Sequence, residues 1–332
     1  MSISISVAIC TYNGSQFIEQ QIKSILDQTI TPNEIVLGDD GSVDDTIDVV
    51  KKVLSKSNVA YTIIENRKNM GVFANFQNVI MHCKGDYIFT SDQDDVWLPN
   101  KIELIIDCFI NNPKSVMVFS NGYVTDKDLN IIGDLWESIH FTRNKRRLFD
   151  EQSYYDVLLS QNCVTGAAMA FKRELADKVF PAPSSLTCIH DYWMALHAPL
   201  YGDIKMLESP LFYYRQHGTN LIGAKTTHLI DKIRRWIYVS DFSLDNSCEQ
   251  LQISKIFNEG NKRMLSDMGL SDKMNSWIKF NQWRDSLKTY PRTKAILSVF
   301  IHIIIGQYRK YYARSFAGLQ DMVACLKMNH SL

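Results

Sequence analysis

Three aspartates crowd the end of one apolar segment, and their spacing limits the chemistry they could perform. Residues 84–97 read KGDYIFTSDQDDVW, in which the apolar residues 87–89 predict a buried strand. Asp92, Asp94 and Asp95 follow within four positions. Carboxylates this close repel one another, so the fold needs a cation or another charge beside them. Such oxygen ligands suit Mg²⁺ or Mn²⁺, ions that also bind phosphates. A solvated acidic turn that caps the following helix is the alternative.

Strands that alternate with helices place this turn in an α/β sheet. The predicted strands cover residues 5–9, 35–37, 61–64, 86–91 and 116–119. The predicted helices between them cover 15–28, 44–54, 72–83 and 99–112. This alternation is typical of βαβ units around a largely parallel sheet. Ligands of such sheets bind at the carboxyl ends of the strands, which is where this chain carries TYN, DDGS and DQDD.

The second half of the chain is less regular and carries further polar motifs. NCVTGAAMAF, at residues 162–171, predicts a loop that leads into a strand, and a helix is predicted over 189–200. Short strands are predicted over 204–207 and 211–214, the second followed by RQHGTN. Beyond Gly223 the pattern changes to amphipathic helices up to the C-terminus.

Composition excludes several classes of protein. The 332 residues are 45% hydrophobic, which suffices for one large or two ordinary domains. Formal net charge is zero, yet residues 225–332 hold 17 Lys and Arg against 9 Asp and Glu, a net charge of +8. The excess of basic residues therefore lies outside the part that bears the motifs, which argues against a nucleic-acid-binding protein. Seven scattered cysteines without a CxxC pair argue against a zinc site and a disulfide framework, and favour a reducing compartment.

The longest apolar run, AILSVFIHIIIG at residues 295–306, is too short to cross a bilayer. Twelve helical residues span about 18 Å, whereas the hydrocarbon core is about 30 Å thick. QYRKYYAR follows the run, and aromatic and basic residues beside an apolar helix suit an interface with anionic lipid. A buried helix that packs on the N-terminal part, or on a second subunit in a homodimer, is an equally weighted alternative.

Taken in order, the motifs resemble those of glycosyltransferase family 2, whose members have the GT-A fold. The resemblance covers roughly residues 3–222 and rests on CTYNG, DDGS, NMGVFANF, SDQDDVW, TGAAMAF, HDYW and YRQHGTN. It implies a Rossmann-like α/β fold, with a mostly parallel central sheet flanked by helices and a helical C-terminal extension. It also implies a catalytic domain over 1–222, with a nucleotide-binding half (1–120) and an acceptor-binding half (121–222), before a helical region over 223–332.

The resemblance assigns the strand-end loops to the nucleotide of a sugar donor. Asp40 would accept the N3–H of uracil or thymine, and Tyr12 would lie against the base. The full set of predicted nucleotide-binding residues is Thr11, Tyr12, Asn13, Asp39, Asp40, Asn69, Gly71 and Asp92. A plain turn remains the alternative for DDGS, since Asp, Gly and Ser all favour turns.

The same resemblance assigns a metal and a catalytic base. Mn²⁺ or Mg²⁺ would be ligated by Asp94 and Asp92, with His217 as a further ligand or a phosphate contact, and would neutralise the departing diphosphate. Asp191 in HDYW would be the general base for the acceptor hydroxyl; a helix cap is the alternative role. Contacts to the donor sugar or the acceptor are predicted for Asp95, Thr165, Gly166, His190, Trp193 and Arg215.

Together these assignments predict an inverting, metal-dependent glycosyltransferase. SDQDDVW, HDYW and YRQHG resemble motifs of bacterial rhamnosyltransferases that build surface polysaccharides. This implies transfer of L-rhamnose from dTDP-rhamnose to a growing, lipid-linked glycan, with UDP-hexose or UDP-N-acetylhexosamine transfer as the alternative within the family. A nucleotidyltransferase and a non-catalytic nucleotide- or glycan-binding module are the alternatives from other classes. The predicted location is cytoplasmic, at the inner face of the bacterial plasma membrane.

Overall fold

The computed structural model describes residues 3–186, 188–217, 245–311 and 317–327. The chain divides into two compact units. The first unit comprises residues 1–152, 162–184 and 189–225, and the second comprises residues 153–161, 185–188 and 226–332. The second unit thus takes in two short segments that no sequence pattern assigned to the C-terminal region. The subdivision of the N-terminal part at residue 120 stays a prediction.

A nine-stranded sheet forms the centre of the first unit. Its strands are β1 (Ile5–Thr11), β2 (Glu34–Asp39), β3 (Ala60–Glu65), β4 (Tyr87–Ser91), β5 (Val96–Trp97), β6 (Ser115–Thr125), β7 (Ile131–Asp134), β8 (Met169–Lys172) and β9 (Asp203–Arg215). They lie in the order β3-β2-β1-β4-β8-β6-β9-β5, with β7 paired to β6. The first four strands in the chain run parallel, as do β6 and β9, whereas β8 is antiparallel to both of its neighbours. The predicted α/β class with a mostly parallel sheet is confirmed.

Helices cover the sheet because their apolar residues recur at helical spacing. Those of the first unit are α1 (Ile18–Leu26), α2 (Thr46–Leu54), α3 (Val72–His82), α4 (Lys101–Asn111), α5 (Leu135–Ser138), α6 (Arg143–Asp150), α8 (Arg173–Val179) and α9 (His190–His197). In α1 the residues Ile18, Ile22 and Ile25 are fully buried. Single 3₁₀ turns cover Gly166–Ala168 and Ala198–Leu200. The apolar runs of β1 and β2 are buried throughout, as expected of central parallel strands covered on both faces.

One strand differs from the sequence-based prediction. The two short strands predicted over 204–207 and 211–214 are a single strand, β9, so the prediction of a break was wrong. Pro210 lies within this strand although proline cannot donate a ladder hydrogen bond. The register between β6 and β9 instead shifts between Ser120 and Asn121, where Asn121 faces Pro210. This irregularity lets the strand continue to Arg215, and it carries the strand end to the acidic turn after β4.

The second unit is helical, which confirms the predicted C-terminal helical region. Its helices are α7 (Tyr154–Leu158), α10 (Asp245–Gly260), α11 (Lys262–Asp267), α12 (Ser271–Ser286), α13 (Arg292–Ile304), α14 (Gln307–Tyr311) and α15 (Ala317–Lys327). A buried ion pair joins α12 to α15, with Arg284 Nε and Nη2 at 2.7 and 2.9 Å from the Asp321 carboxylate. Tyr308 Oη donates to the same carboxylate at 2.7 Å. Among the described residues, no helix is both long and apolar enough to span a membrane.

Candidate active site

The first acidic strand end, after β2, is held together by its own hydrogen bonds. Asp39 Oδ1 accepts from Thr11 Oγ1 at 2.8 Å and from Ser42 Oγ at 2.5 Å. Asp39 Oδ2 accepts from the backbone N–H of Ser42 at 2.8 Å. Both carboxylate oxygens of this buried residue are therefore engaged, and Asp39 fastens the DDGS loop to the end of β1.

Asp40, the next residue, organises the loop that leads into α3. Its carboxylate accepts from the backbone N–H groups of Met70 and Gly71, at 2.7 and 2.9 Å, and from Asn66 Nδ2 at 3.2 Å. Gly71 precedes α3 with a φ of +85°, a conformation that favours glycine. The side chain of Asn69 is exposed apart from its own bond to the Gly71 N–H. The predicted nucleotide residues Asp40, Asn69 and Gly71 thus lie together.

Tyr12 is an exposed residue whose backbone N–H and carbonyl are both hydrogen-bonded by the side-chain amide of Gln93. We call this pair of bonds the Gln93 clamp. Gln93 Oε1 accepts from the Tyr12 N–H at 2.8 Å, and Gln93 Nε2 donates to the Tyr12 carbonyl at 3.1 Å. A Cβ atom on Gly14 would lie 2.2 Å from Gln93 Oε1, so this glycine leaves the room that the clamp occupies. Asn13 has a φ of +49°, and its Oδ1 accepts from the Val43 N–H at 2.9 Å. Sequence reasoning missed Gln93, whose one signal is an amide between two acids.

The second acidic strand end, after β4, brings Asp94 and His217 into contact. Asp94 Oδ2 lies 2.8 Å from His217 Nε2, and the imidazole stacks on Phe17 with ring centroids 4.5 Å apart. Asp95 is buried and accepts from the Arg215 N–H at 3.2 Å through Oδ1. Within the described part of the chain, Asp95 Oδ2 has no hydrogen-bond partner. At least this one buried carboxylate oxygen of the turn therefore lacks a donor among the described residues.

Arg215, at the end of β9, fixes the shape of this turn. Its Nε donates to the Asp94 carbonyl at 2.8 Å, Nη1 to the Lys127 carbonyl at 2.7 Å, and Nη2 to Gln20 Oε1 at 2.6 Å. The guanidinium also lies over the Phe17 ring. Its recorded hydrogen bonds thus tie α1, β9 and two loops together. The predicted contact of Arg215 with donor sugar or acceptor stays a prediction.

Crowded carboxylates shift the protonation of this turn. Burial, together with the negative charges of Asp94 and Asp191, raises the pKa of Asp92 to about 7. Burial also raises the pKa of Asp95 well above its ordinary value, again with its acidic neighbours contributing. Tyr214 lies close enough to the same carboxylates that they add to the rise in its pKa caused by burial. Asp191, about a hundred residues away in sequence, therefore belongs to the same cluster.

Lys101 is a fully buried lysine close enough to Asp92 and Asp95 to feel their charges. Sequence reasoning missed it. Its ammonium lies 4.0 Å from the centre of the Trp97 ring and 4.7 Å from that of Phe212, and it donates to the Ala167 carbonyl at 2.6 Å. Burial lowers the pKa of Lys101 to about 7, although Asp95 and Asp92 oppose the shift. A lysine at a helix start gives no sequence signal of burial, because most such lysines are exposed.

Asp191 is held both by the segment before β8 and by the first turn of its own helix, where the Tyr192 N–H donates to Asp191 Oδ1 at 2.5 Å. Asn162 Nδ2 donates to Asp191 Oδ1 at 2.9 Å, and the Gly166 N–H donates to Oδ2 at 2.8 Å. The N-cap position of α9 belongs to Ile189. Burial raises the pKa of Asp191 to about 7, and the hydrogen bonds from Gly166 and Asn162 oppose that rise. The carboxylate is therefore fixed in orientation and titrates near neutral pH.

His190 and Gly166 fit closely beside this carboxylate. A Cβ atom on Gly166 would lie 2.9 Å from His190 Nε2 and 3.4 Å from Asp191 Oδ2, so glycine is required for the approach. The His190 ring stacks on Phe76 with centroids 3.7 Å apart, and burial lowers the pKa of His190 to about 3. Among the described residues neither ring nitrogen has a hydrogen-bond partner. His190 is thus a neutral, buried ring.

The two remaining predicted contacts differ in exposure. Trp193 is buried in α9 and its ring lies against His197, with centroids 4.2 Å apart. Thr165, in the loop before Gly166, is only partly buried. The structure thus places Thr165 and Gly166 in the segment that holds Asp191, and places Trp193 in the core, two residues after Asp191 in α9.

The cluster fits a divalent cation by its charge and its donor types. Asp92 and Asp94 offer carboxylate oxygens and His217 offers an imidazole nitrogen, a donor set that suits Mn²⁺. The unpartnered Asp95 oxygen and the raised pKa of Asp92 mark an excess of negative charge that a cation would relieve. In the described ranges, no three His, Cys, Asp or Glu residues are gathered closely enough to hold an ion by themselves. The remaining ligands would have to come from elsewhere, as diphosphate oxygens do.

The fold and the acidic strand ends together define a nucleotide-sugar-dependent glycosyltransferase. The family model "Glycosyl transferase family 2" matches residues 6–180, more than half of the chain. The protein therefore belongs to glycosyltransferase family 2, and the expected enzyme class is confirmed.

Known proteins with related sequences or folds agree with this family. The chain is 28% identical over 230 residues to a dTDP-rhamnosyl transferase, RfbG, of Shigella flexneri, across 65% of this chain and 74% of that protein. Staphylococcus aureus TarS 1–349 in complex with UDP-GlcNAc superposes with a TM-score of 0.55 and 14% identity, covering 97% of this chain and 90% of TarS 1–349. The mannosyltransferase PcManGT of Pyrobaculum calidifontis, in complex with GDP-Man and Mn²⁺, gives 0.52 and 15%, covering 98% and 87%. At these identities the two structures establish the GT-A fold alone.

Proposed function

We propose that this protein is an inverting, divalent-metal-dependent glycosyltransferase of polysaccharide synthesis, with Asp191 as its general base. One observation carries the proposal: a buried, firmly oriented carboxylate shares a cluster with the acidic turn after β4. Hydrogen bonds from Asn162, Gly166 and Tyr192 fix its direction, and a pKa of about 7 suits a base that works near neutral pH.

The reaction that fits this arrangement is a single displacement. An acceptor hydroxyl attacks the anomeric carbon of the donor sugar from the face opposite the nucleoside diphosphate. Asp191 takes the hydroxyl proton as the new C–O bond forms and the bond to the diphosphate breaks. Because one displacement inverts the attacked carbon, the product has the anomeric configuration opposite to that of the donor.

The donor nucleotide is proposed to bind at the ends of β1 and β2. Tyr12, a residue that is 41% exposed, offers an aromatic face to the base. Asp40 holds the neighbouring Asn69–Gly71 loop and offers the remaining acceptor capacity of its carboxylate to the base. Thr11, Asn13 and Asp39 build the loop beneath the nucleotide. Asp94, His217 and Asp92 would hold the cation, which when bound neutralises charge on the leaving diphosphate.

For the donor sugar, dTDP-rhamnose is the first candidate because the related RfbG of Shigella flexneri is a dTDP-rhamnosyl transferase. UDP-hexose and UDP-N-acetylhexosamine are the second candidates, since one structural neighbour was solved with UDP-GlcNAc. The proposed acceptor is a growing, lipid-linked surface polysaccharide, which places the enzyme at the inner face of the plasma membrane. A role for His190, Trp193, Thr165 and Asp95 at the donor sugar or the acceptor is part of the same proposal.

A panel of nucleotide sugars tests the proposal. The purified enzyme is supplied with Mn²⁺, each donor and a lipid-linked glycan fraction, and release of dTDP or UDP is measured. Release with one nucleotide class, abolished in Asp191→Asn, is the expected result. A protein that binds nucleotide tightly yet releases none with any donor would support the non-catalytic binding module instead.

A further inference from the structure

Helix α13 packs against the rest of the second unit with one of its faces. Ala295 and Val299 are fully buried, and Ser298 Oγ accepts from Trp283 Nε1 at 2.9 Å. The Trp283 ring also stacks on His302 with centroids 3.4 Å apart. One turn further, Ile303 approaches Gly318 of α15 so closely that a Cβ atom there would lie 2.4 Å away. These contacts fix the rotation of α13 about its own axis.

The opposite face of α13 is apolar and lies in solvent. Its residues recur at helical spacing, and each keeps roughly half or more of its surface exposed: Leu297 60%, Phe300 51%, Ile301 47%, Ile304 68% and Ile305 59%. We refer to these five side chains as the α13 stripe. Single exposed apolar residues are common on proteins, but five contiguous large side chains mark an interaction surface.

The sequence around the α13 stripe carries lysines and arginines but no acidic residue. Residues 286–320 contain six Lys and Arg and no Asp or Glu. Arg292 and Lys294 are exposed at the N-terminal end of α13, and Lys310 is exposed in α14, which follows it. An apolar helix face flanked by exposed cations is the arrangement that binds the surface of anionic bilayers.

We propose that the α13 stripe inserts into the headgroup–acyl boundary of an anionic membrane, with the flanking lysines and arginines at the phosphates. This rests on the proposed membrane location of the enzyme and names the element responsible. A helix of 13 residues is long enough to lie in the interface but not to cross it. Insertion would hold the second unit at the surface where lipid-linked acceptors reside.

A second copy of the chain is the weaker occupant for the same surface. In a two-fold dimer the same patch meets itself. Two α13 stripes in contact would bring two basic flanks together with no acid between residues 286 and 320 to offset them. Anionic headgroups supply that missing negative charge.

Vesicle co-sedimentation of the full chain tests the inference. Vesicles of phosphatidylglycerol mixed with phosphatidylcholine should pellet the protein, and vesicles of phosphatidylcholine alone should pellet much less. The double variant Phe300→Gln/Ile304→Gln should bind the anionic vesicles at least about tenfold more weakly, because two large apolar side chains no longer enter the acyl region. Lys294→Gln/Lys310→Gln should weaken binding several-fold, with the difference vanishing at high salt.

Ile110→Gln provides the matched control. Ile110 lies in the last turn of α4 in the first unit and is 54% exposed. Its replacement by glutamine should leave vesicle binding unchanged. Because the altered α13 side chains are exposed, the stripe variant should keep the wild-type melting temperature. Equal binding by the stripe variant and wild type, or equal binding to neutral vesicles, overturns the inference. So does a stripe variant that turns a dimer into a monomer in light scattering while its vesicle binding persists.

Nucleotide binding separates this inference from the proposed function. Calorimetry with dTDP or UDP and Mn²⁺, without vesicles, reports on the first unit alone. The stripe variant should bind nucleotide as the wild type does. Loss of vesicle binding with intact nucleotide binding thus supports the inference, whereas a wild type that binds vesicles but no nucleotide contradicts the proposed function and leaves the inference standing.

Discussion

Strands β2 and β4, which run parallel on either side of β1, both end in aspartates, yet the two ends have opposite characters. Each of the four carboxylate oxygens of Asp39 and Asp40 accepts at least one hydrogen bond, and each of the two residues has both main-chain and side-chain donors. Asp92 and Asp95 instead face other carboxylates, which raise their pKa values on top of burial. The residue type is the same at both ends. The hydrogen-bond donors around each aspartate therefore decide whether it stabilises a loop or is available to bind a cation.

The largest expected effect comes from a third acid that joins the β4 end. Asp191→Asn should lower turnover by about 10²–10⁴-fold, because the acceptor hydroxyl loses its base while the side-chain shape is kept. Donor binding and melting temperature should change little. Transfer assays and calorimetry on the same preparation provide the two measurements. Turnover near the wild-type level would remove Asp191 from the chemistry, and Asp95 would be examined next.

The next largest effect distinguishes the β4 end as the cation site. Asp94→Asn should weaken nucleotide binding in Mn²⁺ by about a hundredfold, since a metal contributes several kcal/mol to holding a diphosphate. In EDTA the wild type should bind as weakly as the variant. Calorimetric titration of UDP or dTDP under both conditions measures this. Equal affinity of the wild type with and without metal would refute the cation assignment.

A pair of substitutions compares the two strand ends by stability alone. Asp39→Asn should lower the free energy of unfolding by about 1–3 kcal/mol, because the amide cannot accept all the bonds that the carboxylate accepts. Asp92→Asn should raise it, on the order of 1 kcal/mol in EDTA, because one of several like charges is removed. Urea denaturation in EDTA measures both. Destabilisation of equal size in the two variants would abolish the contrast between the ends.

The smallest expected effect is a shift in pH dependence. The base must be ionised, so activity should rise with pH through the Asp191 pKa of about 7. The Asn162 hydrogen bond lowers that pKa, and Asn162→Ala should therefore move the acid limb of the kcat/KM profile to higher pH by roughly half to one unit.

High pH distinguishes this tuning from a structural defect. Asn162→Ala should lose about fivefold in activity at neutral pH and regain most of it in alkaline buffer, where Asp191 is ionised regardless. Asn112→Ala is a suitable control, because Asn112 caps the end of α4 through the Cys108 carbonyl. An unchanged profile, or a loss that persists at every pH, would show that Asn162 does not tune the base.

The sequence predicted the sheet and its loops because both depend on local patterns. Apolar runs, breakers and strand-end motifs were enough for β1 to β4 and for the helices between them. The break within β9 was wrong because a register shift, a tertiary feature, accommodates Pro210. Helices α5 to α7 went unpredicted because they are short and lie in a stretch without clear periodicity.

The site was predictable only where residue type and position were enough. The acids at the strand ends, Asp191 and His217 are visible as motifs. The burial of Lys101 between Trp97 and Phe212 is not, since it depends on packing between segments far apart in sequence. The same holds for Arg215, whose hydrogen bonds reach Gln20 and Lys127, and for Gln93.

The Gln93 clamp restricts which residues can stand at position 14 in related sequences. Its amide occupies the volume that any side chain at position 14 would need, so the two positions are expected to covary among relatives. Gly14→Ala alone should displace the amide and loosen the Tyr12 backbone. A shorter residue at position 93 would make the alanine sterically tolerable while forgoing both hydrogen bonds. Relatives that keep glutamine at 93 should therefore keep glycine at 14.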